Sequence, residues 1–187
     1  MDDFWDDEPA GALGTVLTDD RGSLPFLLVH GEALAAAAAW ALGEAGVTIV
    51  DQTVPWSALV EAAEPFVLHD SLCPLTPPDF IAACVERSAA TGAVVVGVRP
   101  VTDTVKQVAG GYVGATVDRE TLLLVCSPVV LPGAVVATLD ALPTHDLTEL
   151  VAALRASHEV VTVEAPPTAA RVSGPDDVRL LESLRDG

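Results

Sequence analysis

The chain has 187 residues, with 27 acids against nine lysines and arginines, for a formal net charge of −18. That length suits one domain with a single large core, and the charge makes nucleic acid and anionic membranes poor partners. No uninterrupted apolar run reaches the roughly 20 residues needed to span a bilayer; the longest, Ala33 to Leu42, lies between Glu32 and Glu44.

Five of the first eight residues are acids. Residues 1–10 are expected to be an acidic, disordered, solubilising tail; the alternative is that Phe4 and Trp5 dock it on a partner. An acidic start also differs from the basic start of a secretory signal, so a cytoplasmic location is expected. Residues 11–187 are expected to form a single domain. Cys73, Cys84 and Cys126 are too scattered for a metal or redox motif, and their odd number argues against a disulfide framework. Buried, reduced thiols are expected.

In chain order, Gly14 to Leu17 reads as a first strand. Asp19-Asp20-Arg21-Gly22-Ser23 makes a polar turn before Leu24 to Val29. Glu32 to Glu44 is alanine-rich and predicts a helix, with Gly46 just past its end. Val47 to Val50 reads as a strand, and Pro55 to Glu61 as one short helix with proline near its start. Phe66 to Leu68 is a buried-type strand that ends in His69-Asp70. Thr76-Pro77-Pro78-Asp79 opens a helix to about Ala90, with Thr76 as a capping oxygen, and Gly92 closes it.

Ala93 to Val98 is a β-branched run, so it predicts a strand covered on both faces. Val101 to Lys106 and Tyr112 to Val117 predict two strands joined by a glycine-containing turn, and Leu122 to Cys126 returns as a strand. Pro132 to Leu142 and Asp146 to Ala156 read as helices. The second has a D-x-x-E start at Asp146 and Glu149. Glu159 to Val163 is a strand, and Ser173-Gly174-Pro175-Asp176 starts a helix to about Arg185. This alternation predicts an α/β domain with a mainly parallel sheet flanked by helices.

The order His69-Asp70, Leu75-Thr76-Pro77-Pro78, Arg99-Pro100-Val101-Thr102-Asp103-Thr104-Val105-Lys106, Thr116-Val117-Asp118-Arg119 and Ser173-Gly174-Pro175-Asp176-Asp177 resembles the 2-C-methyl-D-erythritol 4-phosphate cytidylyltransferase family. The resemblance is specific from about Phe66 onward. It implies a Rossmann-like, nucleotide-diphospho-sugar-transferase-like α/β fold with a protruding β-arm. It further implies a homodimer through that arm, about residues 98–126, which reaches into the partner's active site. By the same resemblance Arg21 would bind nucleotide, while Asp70, Thr104, Lys106, Arg119 and Arg171 would bind a small phosphorylated substrate.

Members of that family transfer a cytidylyl group from CTP, a reaction of positioning and charge neutralisation. It calls for glycine amides, fixed cations and magnesium. Against the family pattern, Phe26 stands in place of a lysine, and Asp19 and Asp20 put negative charge where phosphates would lie. Cys73 replaces an arginine, while Thr168 and Arg171 replace an acid and a lysine. The span from Val50 to Phe66 is too short for the base-reading segment.

The expectation is a degenerate homologue that keeps dimerisation and the binding of a phosphorylated ligand, needs no cofactor, and would need magnesium only if active. Two alternatives stay open: an active nucleotidyltransferase of the isoprenoid pathway, and a regulatory subunit paired with an intact paralogue. No metal site is expected from the single His69-Asp70 pair. His30, His145 and His158 show no ligand spacing, and Ser127 before Pro128 is no nucleophile elbow.

Overall fold

The computed structural model describes residues 11–102 and 104–185. The acidic tail expected over residues 1–10 lies outside them. The core is a six-stranded sheet in the order β10-β6-β9-β5-β1-β4. Its members are β1 (Ala12–Leu17), β4 (Val47–Ile49), β5 (Phe66–Asp70), β6 (Val94–Pro100), β9 (Leu123–Leu131) and β10 (Val160–Glu164). Only β9 runs antiparallel to its two neighbours, β5 and β6; the remaining pairings are parallel. Two short strands, β2 (Leu28–Val29) and β3 (Glu32–Ala33), form a separate ribbon.

The period-two alternation of the strands divides the core. Phe66, Leu68, Val94, Val96, Val98, Val129 and Leu131 face one layer. That layer contains α2 (Trp56–Ala62), α4 (Gly133–Val136) and α5 (Leu147–Leu154). Val67, Val95 and Val130 point to the other face, against α1 (Leu34–Glu44) and α3 (Pro78–Thr91). Valines 94, 95, 96 and 98 are all buried, as a doubly covered strand requires. A third cluster, including Val29, Leu34, Val178 and Leu181, seats α6 (Pro175–Arg185) against β2 and α1.

Helix ends follow local chemistry. Gly46 (φ 80°) follows α1 and Gly92 (φ 67°) closes α3. Asp146 caps α5 by accepting the Glu149 amide at 2.9 Å. The Glu149 carboxylate does not return the bond; it accepts from Thr144, whose hydroxyl oxygen takes the Asp146 amide instead. Thr76 does not cap α3: the capping position is Pro77, which has no side-chain oxygen to offer, and the Thr76 hydroxyl donates to the Cys73 carbonyl at 2.9 Å.

Three elements differ from expectation. The helix expected over Pro132 to Leu142 stops at Val136, where the Thr138 hydroxyl bonds back to the Val135 carbonyl and the chain turns. Gly133 starts this helix because a Cβ there would lie 2.3 Å from the Ala63 carbonyl oxygen. The strand expected to end at Cys126 continues to Leu131. Pro128 has no amide to donate, and it sits where the β6–β9 register shifts between Val96 and Val98. Gly97 lines that irregularity, and a Cβ on it would meet the Ser127 carbonyl oxygen at 2.9 Å.

The third difference is in the arm. Its strands are β7 (Val105–Ala109) and β8 (Tyr112–Val117), so the first begins four residues later than expected. The turn sets the register: Gly110 and Gly111 have φ of 57° and 81°, as a two-residue turn of type I′ needs, and Ala109 pairs with Tyr112.

Candidate functional site

Parallel strands converge their carboxyl ends on one edge of a sheet, and ligands of α/β folds bind there. In this chain that edge carries a cleft of about 760 Å³. Arg21 enters it from the loop after β1, Asp70 from the last position of β5 and Arg99 from β6. His145 precedes α5, and Arg171 precedes α6.

Asp70 is the centre. It is 3% exposed, and each carboxylate oxygen holds an arginine. Arg21 Nε donates to Oδ1 at 2.6 Å and Arg171 Nε donates to Oδ2 at 3.0 Å. The Leu72 amide also donates to Oδ1, at 3.0 Å. Burial pushes the Asp70 carboxyl up. The Arg21 hydrogen bond, the Leu72 amide, the Arg21 charge and the Arg171 hydrogen bond outweigh that and hold it below the ordinary carboxylate value.

Arg21 is itself only 8% exposed. Its remaining nitrogens donate to the backbone carbonyls of Asp19 and His145. A second stitch closes the same loop, with His145 Nδ1 3.3 Å from Asp19 Oδ2. The loop expected to cradle phosphates is therefore fastened to the segment before α5. Phe26, in the place of the expected lysine, is 73% exposed.

Behind Asp70 stands a buried pair absent from the sequence reading. Ser127 Oγ accepts the Asp70 amide at 2.8 Å and lies 2.6 Å from His69 Nδ1. His69 Nε2 has no partner among the described residues. Burial therefore depresses the imidazole to about 4, with the nearby Asp70 charge opposing that only in part. This His69 is a structural, neutral imidazole.

Of the expected site residues, the structure brings together Arg21, Asp70 and Arg171. Thr104, Lys106 and Arg119 lie on the arm and do not line the cleft. Lys106 Nζ bonds Thr116 Oγ1 across the arm, and Arg119 donates to the Thr102 carbonyl at 2.6 Å. Arg99 and His145 line the cleft although neither is among the residues expected there. Arg99 was legible in part, because it opens the same run that holds Thr104 and Lys106.

Magnesium does not fit the site as arranged. Both Asp70 oxygens are held by arginines, and no group of three or more His, Cys, Asp or Glu suited to a metal occurs among the described residues. The three cysteines are free and buried, and burial pushes the Cys84 thiol up to about 12. No helix of the described residues is long and apolar enough to cross a membrane.

A family model, "IspD: 2-C-methyl-D-erythritol 4-phosphate cytidylyltransferase", matches residues 45–184. The chain belongs to this cytidylyltransferase family. It is 37% identical over 127 residues to the 2-C-methyl-D-erythritol 4-phosphate cytidylyltransferase of Nocardia farcinica, covering 65% of this chain and 53% of that one. To the Corynebacterium glutamicum cytidylyltransferase (strain ATCC 13032) it is 32% identical over 187 residues, covering 91% and 66%. It thus spans between about half and two thirds of the length of these two relatives. The crystal structure of the Thermus thermophilus cytidylyltransferase superposes with a TM-score of 0.67 at 24% identity, covering 93% of this chain and 98% of that one. That likeness carries the fold: a mostly parallel sheet between helices, as the sequence led one to expect. The family match begins beyond the Asp19–Phe26 loop.

Proposed function

We propose that this chain is a cytidylyltransferase homologue without nucleotidyl transfer, which keeps dimer formation and the binding of a small phosphorylated ligand. The observation that carries the reading is the engagement of Arg21. Each of its three nitrogens donates inside the protein and its charge is paired with buried Asp70, so the loop offers no unpaired cation to a triphosphate. Removing one preorganised donor from a transition state costs about 2–4 kcal/mol in other enzymes. Here the Phe26 position lacks a cation as well, and Asp19 and Asp20 add negative charge. The span between β4 and β5 holds only α2, a helix of seven residues, so it leaves little chain to read a base.

The test is pyrophosphate release from CTP and 2-C-methyl-D-erythritol 4-phosphate with magnesium. The expected rate matches a no-enzyme control. Release that Arg21→Ala abolishes would establish the active-enzyme reading instead. That reading is favoured by one feature, the retention of Asp70 at the end of β5.

Dimer formation is supported by the arm. Val108, Tyr112 and Val113 are exposed, Tyr112 by 82%, and a lone two-stranded hairpin is marginal in water. A partner subunit would cover these side chains and present Thr104, Lys106 and Arg119 to a second cleft. Sedimentation is expected to give a dimer at micromolar concentration, and a monomer there refutes it. Co-purification with an intact paralogue in place of the self-dimer would mark the chain as a regulatory subunit.

A further inference from the structure

We propose that the groove between α1 and the segment Pro74–Pro78 is a second ligand site, which takes an elongated organic ammonium with an aromatic end. It shares no lining residue with the cleft at the carboxyl edge of the sheet. The proposal is therefore independent of the phosphorylated-ligand reading.

The groove has a volume of about 520 Å³, an ordinary size for a small-molecule site. One wall is α1, which contributes Ala36, Ala37, Trp40 and Ala41. Those positions stand four apart in two adjacent rows, so they share one helix face. Pro74, Leu75, Pro77 and Pro78 supply apolar cover opposite. Trp40 is 58% exposed. An indole left in water gains when a second ring covers it.

The polar groups of the lining decide the charge of the ligand. Glu32 of β3 is the one lysine, arginine or acid among them, and no ion pair engages it among the described residues. Thr76 is 1% exposed and has given its hydroxyl proton to the Cys73 carbonyl, so it can only accept from a ligand. The three prolines bring carbonyls and no amides. The His30 amide is spent on Glu182. An anion here would meet a carboxylate and no lysine or arginine, whereas an ammonium finds an unpaired carboxylate and a further acceptor. The net charge of −18 also draws cations toward the chain and keeps anions away.

Length follows from the helix. Glu32 precedes α1, and Trp40 lies about 9 Å along the axis from Leu34, the first residue of that helix. An ammonium paired with Glu32 and a ring laid on Trp40 therefore belong to opposite ends of one molecule.

The experiment is calorimetric titration of the full-length chain with 4-phenylbutylammonium, 4-phenylbutyrate and butylammonium. The first is expected to bind, and the other two, which reverse the charge or lack the ring, to bind at least about tenfold more weakly. Glu32→Gln should weaken 4-phenylbutylammonium about fivefold, the scale of a partly exposed ion pair. Trp40→Ala should weaken it about tenfold through lost ring contact and apolar cover. Both side chains are exposed, so neither substitution empties the core. Glu86→Gln, at an exposed position of α3 outside the groove, should change nothing. If Glu32→Gln behaves like Glu86→Gln, or if 4-phenylbutyrate binds as well as the ammonium, the charge assignment and the proposal fall. An unchanged affinity in Trp40→Ala puts the ligand elsewhere and overturns the site, as does wild type that binds none of the three. None of these outcomes bears on the anion reading of the cleft.

Discussion

Acidification should destabilise this protein through His69 well before most carboxylates protonate. The ring is fully buried, Ser127 satisfies one nitrogen, and the other has no partner among the described residues that would stabilise an imidazolium. Its folded value lies near 4, against 6.5 for a free imidazole. Between those values the unfolded chain binds the proton and the folded chain does not. Stability from this group is therefore whole above about pH 6.5 and lost as pH falls toward 4. Integrating over that window gives a loss of about 2 kcal/mol at about pH 5 and about 3 kcal/mol at about pH 4. Such a loss is a large share of a typical folding free energy. Urea unfolding followed by far-ultraviolet circular dichroism, at steps from pH 7.5 to 4, measures it. His69→Asn keeps a polar group near Ser127 but cannot titrate. Its stability at neutral pH is lower, and its slope between about pH 6.5 and 4 should be flatter than wild type by the amounts above. Equal slopes in the two proteins would refute the reasoning.

Asp70→Asn should leave two arginines without their shared counter-charge and destabilise the fold by about 3 kcal/mol, the low end for breaking a buried pair because Arg171 is partly exposed; denaturant midpoints check it. Asp70 itself, with a depressed folded value, contributes stability that is complete above about pH 4 and declines only below it, so its acid transition should lie beneath that of His69. Gly133→Ala places a Cβ 2.3 Å from the Ala63 carbonyl oxygen and should cost about 1–3 kcal/mol, read as a lower melting temperature; an unchanged one would mean that α2 and α4 move apart freely. Asp146→Ala removes the α5 cap and should cost about 1 kcal/mol, with little effect if the Thr144 hydroxyl substitutes for it.

Local patterns are legible in the sequence. The valines of β6 announce a doubly covered strand, and Gly46, Gly92 and Asp146 mark helix ends, because these signals act within one turn of chain. The fold follows from their order and from the resemblance of the later motifs. The site is legible as a set of residue types and not as a set of partnerships. Asp70 and Arg171 stand out, yet the arrest of Arg21 depends on Asp70, 49 residues away, and on the His145 carbonyl, 124 residues away. Nothing near Arg21 encodes either contact. The proline that follows Ser127 speaks against a nucleophile there and says nothing of the serine's other use, which is to hold both His69 and Asp70. Pro128 likewise suggests the end of a strand because proline lacks an amide. The irregularity beside Gly97 shows how the sheet accommodates it.

The strand β9 begins at the root of the arm and ends in the centre of the sheet. Its nine residues make a rod about 30 Å long at the usual rise per residue. Ser127, midway along it, grips the backbone of Asp70. One strand thus joins the arm to the carboxylate that both arginines hold. Thermodynamic reciprocity then links the two proposals of a dimer and a cleft ligand: if clasping the arm shifts this strand and so changes affinity in the cleft, the two events are coupled. An anion bound in the cleft would then change how tightly the arm is clasped by the same factor.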